Sequence, residues 1–384
     1  MEFIGRFFQN PGTSYFLFGP RGTGKSTWID RQYSNALIID LLQPNQFRMF
    51  SARPERLTEV IEGNPGNNPI VIDEIQKVPS LLDVVHHLIE TKKQLRFVLT
   101  GSSARKLRRT GVNLLAGRAI LRTFHPFMAA ELGDRFDLER AIRIGMLPSV
   151  VSSEVPEDTL STYAALYLRE EVQAEGIVRN IGDFSRFLET ISFSHAGVLN
   201  TSEIARECRV GRKTVEGYIA VLEDLLLSYT IPVFQKRAKR YLTSHPKLFL
   251  FDTGVFQSLR PRGYLDKPEE VAGAALEGLV CQHLKAWIAY GSKDFSLYFW
   301  RTKSGTEVDF ILYGGNSLTA MEVKNTRSIR AKDLRGLKAF KQDYPEAQCL
   351  FLYCGAERLK IDDIYCLPCD KFLRSLSPGR PIGF

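Results

Sequence analysis

The run Gly19-Pro20-Arg21-Gly22-Thr23-Gly24-Lys25-Ser26-Thr27 carries the densest chemistry in the chain. Its spacing is G-x-x-x-x-G-K-[ST]. Glycines at these places let successive backbone N–H groups turn inward around phosphate oxygens. A helix starting at Ser26 adds partial positive charge. Lys25 is placed to reach the β- and γ-phosphates of a triphosphate, and the Ser26 hydroxyl to coordinate Mg²⁺.

Phosphoryl transfer also needs acidic groups beside the metal and the attacking water. Pro69-Ile70-Val71-Ile72-Asp73-Glu74 is an apolar run ending in two carboxylates. At the carboxyl edge of a sheet they would stand beside the loop. Asp73 is expected as the outer partner of Mg²⁺ and Glu74 as the base or water-polarising group. A further run, Arg96-Phe97-Val98-Leu99-Thr100-Gly101-Ser102-Ser103, ends in hydroxyls. Thr100 or Ser102 would touch the γ-phosphate or the water; the plain alternative is a strand-end turn.

A second set of charges lies late in the chain. Asp309 sits within Val308-Asp309-Phe310-Ile311-Leu312, and Glu322 and Lys324 within Ala320-Met321-Glu322-Val323-Lys324. Charges in such apolar strands are costly unless paired or metal-bound. Alternation puts Glu322 and Lys324 on one face. Neighbouring strands could bring them to Asp309, and Glu277 on an upstream amphipathic helix could join them.

The elements that must position these residues follow from pattern. Strands are expected at Tyr15–Phe18, Ala36–Ile39, Ile70–Ile72, Arg96–Leu99 and near Ala119–Arg122, with a helix after the glycine loop. Strand–helix alternation implies a parallel sheet covered on both faces. From about Leu138 the spacing turns helical, through Leu160–Val178. Helices are then expected at Asp183–His195, from Asn200, an N-cap, and over Thr214–Leu227, followed by strands at Ser228–Phe234 and Lys247–Phe251. That is the order of a winged-helix module. Its tip, Gln235-Lys236-Arg237-Ala238-Lys239-Arg240, is strongly basic. Lys213, Lys236, Arg237, Lys239 and Arg240 are the expected DNA contacts, with a solvated hairpin or a protein-binding module as the alternative. Arg105-Lys106-Leu107-Arg108-Arg109 is a second basic patch. The last third is mixed: a helix at Ala275–Tyr290, strands at Ser296–Trp300, Glu307–Tyr313, Thr319–Lys324 and Gln348–Tyr353, and a helix at Lys332–Tyr344.

Composition narrows the class. With 384 residues, 44% hydrophobic and 24% charged, the chain has room for two or three globular domains. Its net charge of +8 favours an acidic partner only weakly, because 43 acidic residues are interspersed with 51 basic ones. No apolar run is long enough to span a bilayer, and Met1–Arg6 is no secretion signal. A cytoplasmic location without membrane contact is the expectation. Cys366-Leu367-Pro368-Cys369 has zinc-compatible spacing, but Cys349-Leu350-Phe351-Leu352-Tyr353-Cys354 reads as a core strand in which Cys is a small apolar residue.

The chain resembles the bacterial and archaeal AAA-type ATPases whose ATPase module is followed by a region of unassigned function, DUF4143. The resemblance runs through residues 19–26, Ile72-Asp73-Glu74-Ile75-Gln76-Lys77-Val78-Pro79, residues 99–103, Leu115-Ala116-Gly117-Arg118, residues 301–310 and Glu322-Val323-Lys324. It implies an α/β P-loop NTPase domain over 1–135, a helical lid or linker over 136–182, a winged-helix module over 183–252 and a mixed α/β domain over 253–384. It also implies ATP and Mg²⁺, with Thr100–Ser103 as a first sensor. Arg118 resembles an arginine finger offered to a neighbouring subunit of a homo-oligomer, ring or head-to-tail; a surface ion pair is its alternative. Arg143 is a possible second sensor. The constellation Glu277, Asp309, Glu322 and Lys324 resembles the PD-(D/E)xK nuclease fold, with Val308 where the nominal motif has Pro. It implies a second Mg²⁺ or Mn²⁺, or else a structural ion-pair network in an inactive site. Three functions follow: an oligomeric ATPase acting on or near DNA, an ATP-regulated metal-dependent nuclease, or a nucleotide-switched protein scaffold.

Overall fold

The computed structural model describes residues 3–103, 107, 115–174, 180–264, 266–291 and 294–383. The basic residues Arg105, Lys106, Arg108 and Arg109 lie outside them. By compactness the chain forms two units. One is Phe8–His125 with Asp224–Leu226; the other is Met1–Phe7, Pro126–Glu223 and Leu227–Phe384.

The first unit is built on five parallel strands: β1 (Tyr15–Phe18), β2 (Leu37–Asp40), β3 (Ile70–Asp73), β4 (Phe97–Gly101) and β5 (Ile120–Thr123), in the order β2-β3-β4-β1-β5. β1 is buried at every residue, as a parallel strand covered on both faces must be. Phe16, Phe18, Ile70, Ile72, Phe97 and Leu99 pack with Leu81, Leu82 and Val85 of the helix Leu81–Thr91 on one face. The helix Lys25–Gln32 follows β1 through the glycine loop. This is the parallel α/β P-loop architecture that the resemblance implies, and each strand lies within two residues of its expected bounds.

The second unit holds two sheets. The smaller consists of β6 (Gly197–Val198), β7 (Ser228–Ile231) and β8 (Lys247–Leu250), antiparallel in the order β6-β8-β7. In chain order β6 lies between the helices Ile181–Ser192 and Thr201–Cys208, and β7 and β8 follow the helix Arg212–Asp224. Asn200 caps the second of these through Glu203 N. β6 is too short to leave a sequence signal.

The larger sheet consists of β9 (Phe295–Arg301), β10 (Glu307–Gly314), β11 (Ser317–Lys324), β12 (Gln348–Tyr353), β13 (Leu359–Ile361) and β14 (Ile364–Pro368), in the order β13-β14-β12-β11-β10-β9. β11, β12 and β14 run parallel; the other pairings are antiparallel. The helix Pro268–Tyr290 packs through Leu276, Val280 and Leu284 on the face bearing Phe310, Leu312, Met321 and Val323. The helix Arg335–Asp343 packs through Leu337 and Phe340 on the face bearing Val308, Ile311, Leu318 and Ala320. Cys349, Cys366 and Cys369 are buried, and burial pushes the Cys349 and Cys366 thiols up to about 11, as for small core residues.

The loop from β7 to β8 lies along the outer edge of β9. Phe234 N donates to Phe299 O at 2.7 Å, Phe299 N to Pro232 O at 3.1 Å, and Thr243 N to Arg301 O at 3.1 Å. The loop thereby covers an edge whose backbone groups would otherwise be open.

Candidate functional site

The glycine loop begins where β1 ends. Gly22 and Gly24 have φ of 80° and 86°, the left-handed region that glycine enters without a side-chain clash. Gly24 ends the loop, and its carbonyl accepts Trp28 N at 3.0 Å, the first bond of the helix. Thr23 Oγ1 donates to Pro20 O at 2.8 Å and braces the loop from within. Lys25 is buried, and its ammonium donates to Gly19 O at 2.5 Å and Pro20 O at 3.1 Å. Arg21 is half-buried, and Ser26 and Thr27 are exposed at the helix start.

Two neighbouring strands complete the site. β3 ends in Asp73, and Ser26 Oγ donates to its Oδ2 at 3.3 Å. Thr100 Oγ1, from β4, donates to the other oxygen of Asp73. The parallel register that sets Ile72 beside Leu99 puts these side chains at one sheet edge. Ser26, Asp73 and Thr100 therefore meet in a single oxygen-lined group, which suits Mg²⁺. Glu74, one residue on, has φ 60° and ψ 44°, a strained conformation for a residue with a side chain. It is buried, and Gln76 Nε2 donates to its Oε2 at 2.6 Å and to Ser102 Oγ at 3.2 Å. Thr100 thus faces Asp73, while Ser102 faces Gln76. Gln76 was missed by sequence reasoning. Its signal lies in Gly101, where a Cβ would collide with Gln76 Oε1.

Arg118 is not brought to this loop. It precedes β5, whose Ile120 pairs with Tyr15 at the start of β1, and so stands at the opposite sheet edge. There it is exposed and paired with Glu90. Arg143 is an exposed residue 3.5 Å from Glu157.

The late acidic residues do converge, but around lysines. Lys247 Nζ lies 2.5 Å from Glu277, 2.7 Å from Glu307 and 3.2 Å from Asp309. Lys324 Nζ lies 2.6 Å from Glu322 and 3.9 Å from Asp309. Asp309 joins the two halves, and its Oδ2 also accepts Val323 N at 2.9 Å. A β-bulge in β10 between Val308 and Ile311 makes this possible. The extra residue lets Phe310 join the same core cluster as Leu312 while Val308 and Ile311 join the opposite one, and it frees Asp309 from regular pairing. Lys247 and Glu307 were not foreseen. Lys247 sits at the start of a short strand buried throughout, so its spacing resembles that of a core residue.

Burial raises the Glu277 carboxyl to about 8, with Asp309 adding to the rise and Lys247 opposing it. Burial likewise lifts Glu322 well above the ordinary carboxylate range. For Asp309 burial works in the same direction, but Lys247 and Lys324 outweigh it and hold the group below its usual value. As placed, these residues do not fit a metal: Lys247 fills the space between three of the carboxylates. Among the described residues no group of three or more His, Cys, Asp or Glu side chains is arranged to hold one.

The expected DNA contacts are partly engaged. Arg240 Nε donates to Asp343 at 2.7 Å, and Lys236 Nζ lies 4.2 Å above the Tyr313 ring. Arg240, itself exposed, thus also ties the loop to Asp343. Lys213, Lys236, Arg237, Lys239 and Arg240 are all exposed. No helix among the described residues is long and apolar enough to cross a membrane.

Three regions of the chain match known domain families. Residues 12–133 match an AAA domain, 135–266 a domain of unknown function (DUF8612), and 272–372 a domain of unknown function (DUF4143). The uncharacterized proteins Rv2008c of Mycobacterium tuberculosis and Mb2031c of Mycobacterium bovis are 26% identical over 312 residues, covering 79% of this chain and 69% of theirs. An uncharacterized protein of Haemophilus influenzae is 24% identical over 203 residues, 48% of this chain and 50% of its own. Among solved structures, the Aeropyrum pernix ORC1 protein in complex with DNA matches at 15% identity and a TM-score of 0.28, over 65% of this chain and 87% of its own. Protein VC1899 from Vibrio cholerae matches at 10% identity and a TM-score of 0.23, over 94% of this chain and 96% of its own. Scores this low establish no shared fold, so the P-loop architecture rests on the loop and sheet order described above. On those grounds and the matched domains, the chain carries a P-loop AAA domain followed by a C-terminal DUF4143 region, the arrangement of AAA-type ATPases of that kind.

Proposed function

We propose that the chain hydrolyses ATP with Mg²⁺ at the glycine loop. The observation that carries this is the meeting of Ser26, Asp73 and Thr100 beside a loop whose lysine donates to the carbonyls of Gly19 and Pro20. Backbone amides of residues 21–25 would cradle the phosphates. Lys25 would exchange two neutral carbonyl partners for anionic phosphate oxygens, a stronger charge-assisted bond. Ser26 would hold Mg²⁺ directly and Asp73 behind it; the ion's part is to offset charge on the phosphate oxygens. Thr100 keeps Asp73 oriented. Glu74 would accept a proton from the attacking water once it leaves Gln76, and Ser102 keeps Gln76 in register. Purified chain should release phosphate from ATP. Lys25→Ala and Glu74→Gln should each lower the rate by about 10²-fold or more. Activity retained in both variants refutes the reading.

Arg118 would act across a subunit boundary. What supports this is its place at the far sheet edge, exposed and, among the described residues, held by a surface pair with Glu90. Such fingers supply roughly 10³–10⁵ in rate where they operate. Arg118→Ala should lose ATPase activity, and mixing it with Lys25→Ala subunits should restore part of it.

A second reading, action on DNA, has its own support. The helix Ile181–Ser192, the helix pair Thr201–Cys208 and Arg212–Asp224, and the hairpin β7–β8 follow the order of a winged-helix module. Arg237 and Lys239 remain exposed on its loop. DNA retention on this face should fall steeply with salt. Retention indifferent to salt, or none at low salt, leaves the protein-scaffold reading.

A further inference from the structure

The carboxylate cluster of the C-terminal domain already contains a cation. Lys247 is 2% exposed at its side chain and touches three carboxylates at ion-pair distance. A charge so deeply buried persists only where such partners compensate its lost hydration. It comes from β8, in the small sheet, whereas Glu277 comes from the long helix and Glu307 and Asp309 from β10.

Formal charge makes the point sharper. Glu277, Glu307, Asp309 and Glu322 face Lys247, Lys324 and Arg301, the last 3.1 Å from Glu307. With every acid ionised, the state that a bound cation would enforce by displacing the protons burial holds on Glu277 and Glu322, four negative groups meet three positive ones, which leaves a single negative charge. Without Lys247 two would remain, the deficit that one divalent ion cancels. The donors are all oxygens, the set that hard cations prefer. One of them, Glu322 Oε2, is buried and has no hydrogen-bond partner.

We propose that Lys247 is the resident cation of this cluster and that its ammonium keeps Mg²⁺ and Mn²⁺ out. The nuclease-like constellation is then an ionic fastener, which ties the small sheet to the large one. It binds a divalent ion only when the lysine charge is removed. The inference is independent of the nucleotide loop.

The test is Mn²⁺ binding by the full-length chain without nucleotide, read by electron paramagnetic resonance. Wild type should show no Mn²⁺ that depends on Asp309, and neither should Lys247→Arg, which keeps the charge. Lys247→Met should gain one ion, bound at least tenfold more tightly than any background, and Lys247→Met/Asp309→Asn should lose it. Two results overturn the proposal: Asp309-dependent Mn²⁺ on wild type, or folded Lys247→Met with no gain. Should Lys247→Met unfold in chelator, millimolar Mn²⁺ must restore its circular dichroism; failure to restore it also overturns the proposal.

Discussion

Lys25 and Lys247 are both buried lysines at the heart of charged sites, yet their surroundings differ in kind. Lys25 rests on two neutral carbonyls of its own loop. Lys247 rests on three carboxylates. An ammonium on carbonyls exchanges partners readily when a phosphate arrives, because the new bond is ionic on both sides. An ammonium among carboxylates gains little from any exchange and loses much. The first arrangement suits a site that takes a ligand from solution. The second suits a joint. The residue type is the same in both; the charge of the neighbours separates the roles.

That contrast can be broken by substitution. Lys247→Met should cost about 3–5 kcal/mol, since removing one partner leaves buried carboxylates uncompensated. Urea unfolding of the second unit reads this directly, and a loss under 1 kcal/mol would erase the contrast. Lys25→Met should leave stability within about 1 kcal/mol but abolish ATP turnover, about 10²–10³-fold. A stability loss as large as that of Lys247→Met would mean that Lys25 too is chiefly structural.

Asp252 sharpens the comparison from the anionic side. It is fully buried and has amides rather than cations for partners: Met146 N at 2.7 Å, Gly254 N at 2.9 Å and Val255 N at 3.2 Å. Burial raises its carboxyl from 3.8 to about 6, because the amides offset only part of the lost hydration. The folded chain therefore holds this proton more tightly than the unfolded one. Its contribution to stability is full below pH 4 and is lost as pH rises through about 6, by up to about 3 kcal/mol. Asp309, held below its ordinary value by lysines, works in the opposite sense: its contribution is lost as pH falls. Wild type minus Asp252→Asn, followed by melting between pH 7 and pH 4.5, should show the wild type gaining as pH falls. A flat difference would mean that Asp252 titrates alike in the folded and unfolded chain.

Gln76→Ala should change kcat about tenfold with KM unmoved, because Gln76 holds Glu74 rather than the nucleotide. A change in KM alone would assign it to binding. The smallest effect belongs to the β7–β8 loop. Neutralising Arg237 or Lys239 should lower the salt slope of DNA retention by about one each, while Arg240→Ala should chiefly loosen the loop from Asp343.

Much of this was legible in residue order. The glycine loop, the apolar runs ending in Asp73 and Thr100, and the capped helix at Asn200 are local patterns. Strong local patterns survive folding because the period of side chains and the conformational needs of Gly and Asn act within a few residues. The helix at Ala275–Tyr290 was found but begins seven residues earlier, at Pro268, where its first turns carry charged residues without an apolar rhythm. β13 and β14 were missed; pairing makes strands of such short segments, β14 against β12 and β13 against β14.

The charges tell the rest. Types and spacing alone pointed to a phosphate-binding loop with Asp73 beside it, because the amides, lysine and hydroxyl of that loop lie within eight consecutive residues, 19–26. Spacing also nominated Glu277, Asp309, Glu322 and Lys324 as a group. It could not reveal that Lys247, 30 or more positions from each, fills their centre, or that a bulge at Asp309 turns that carboxylate toward it. Which cation neutralises a buried acid depends on distances across separate sheets. Those distances exist only after long-range packing has been completed, and in a medium of low dielectric they set the energy.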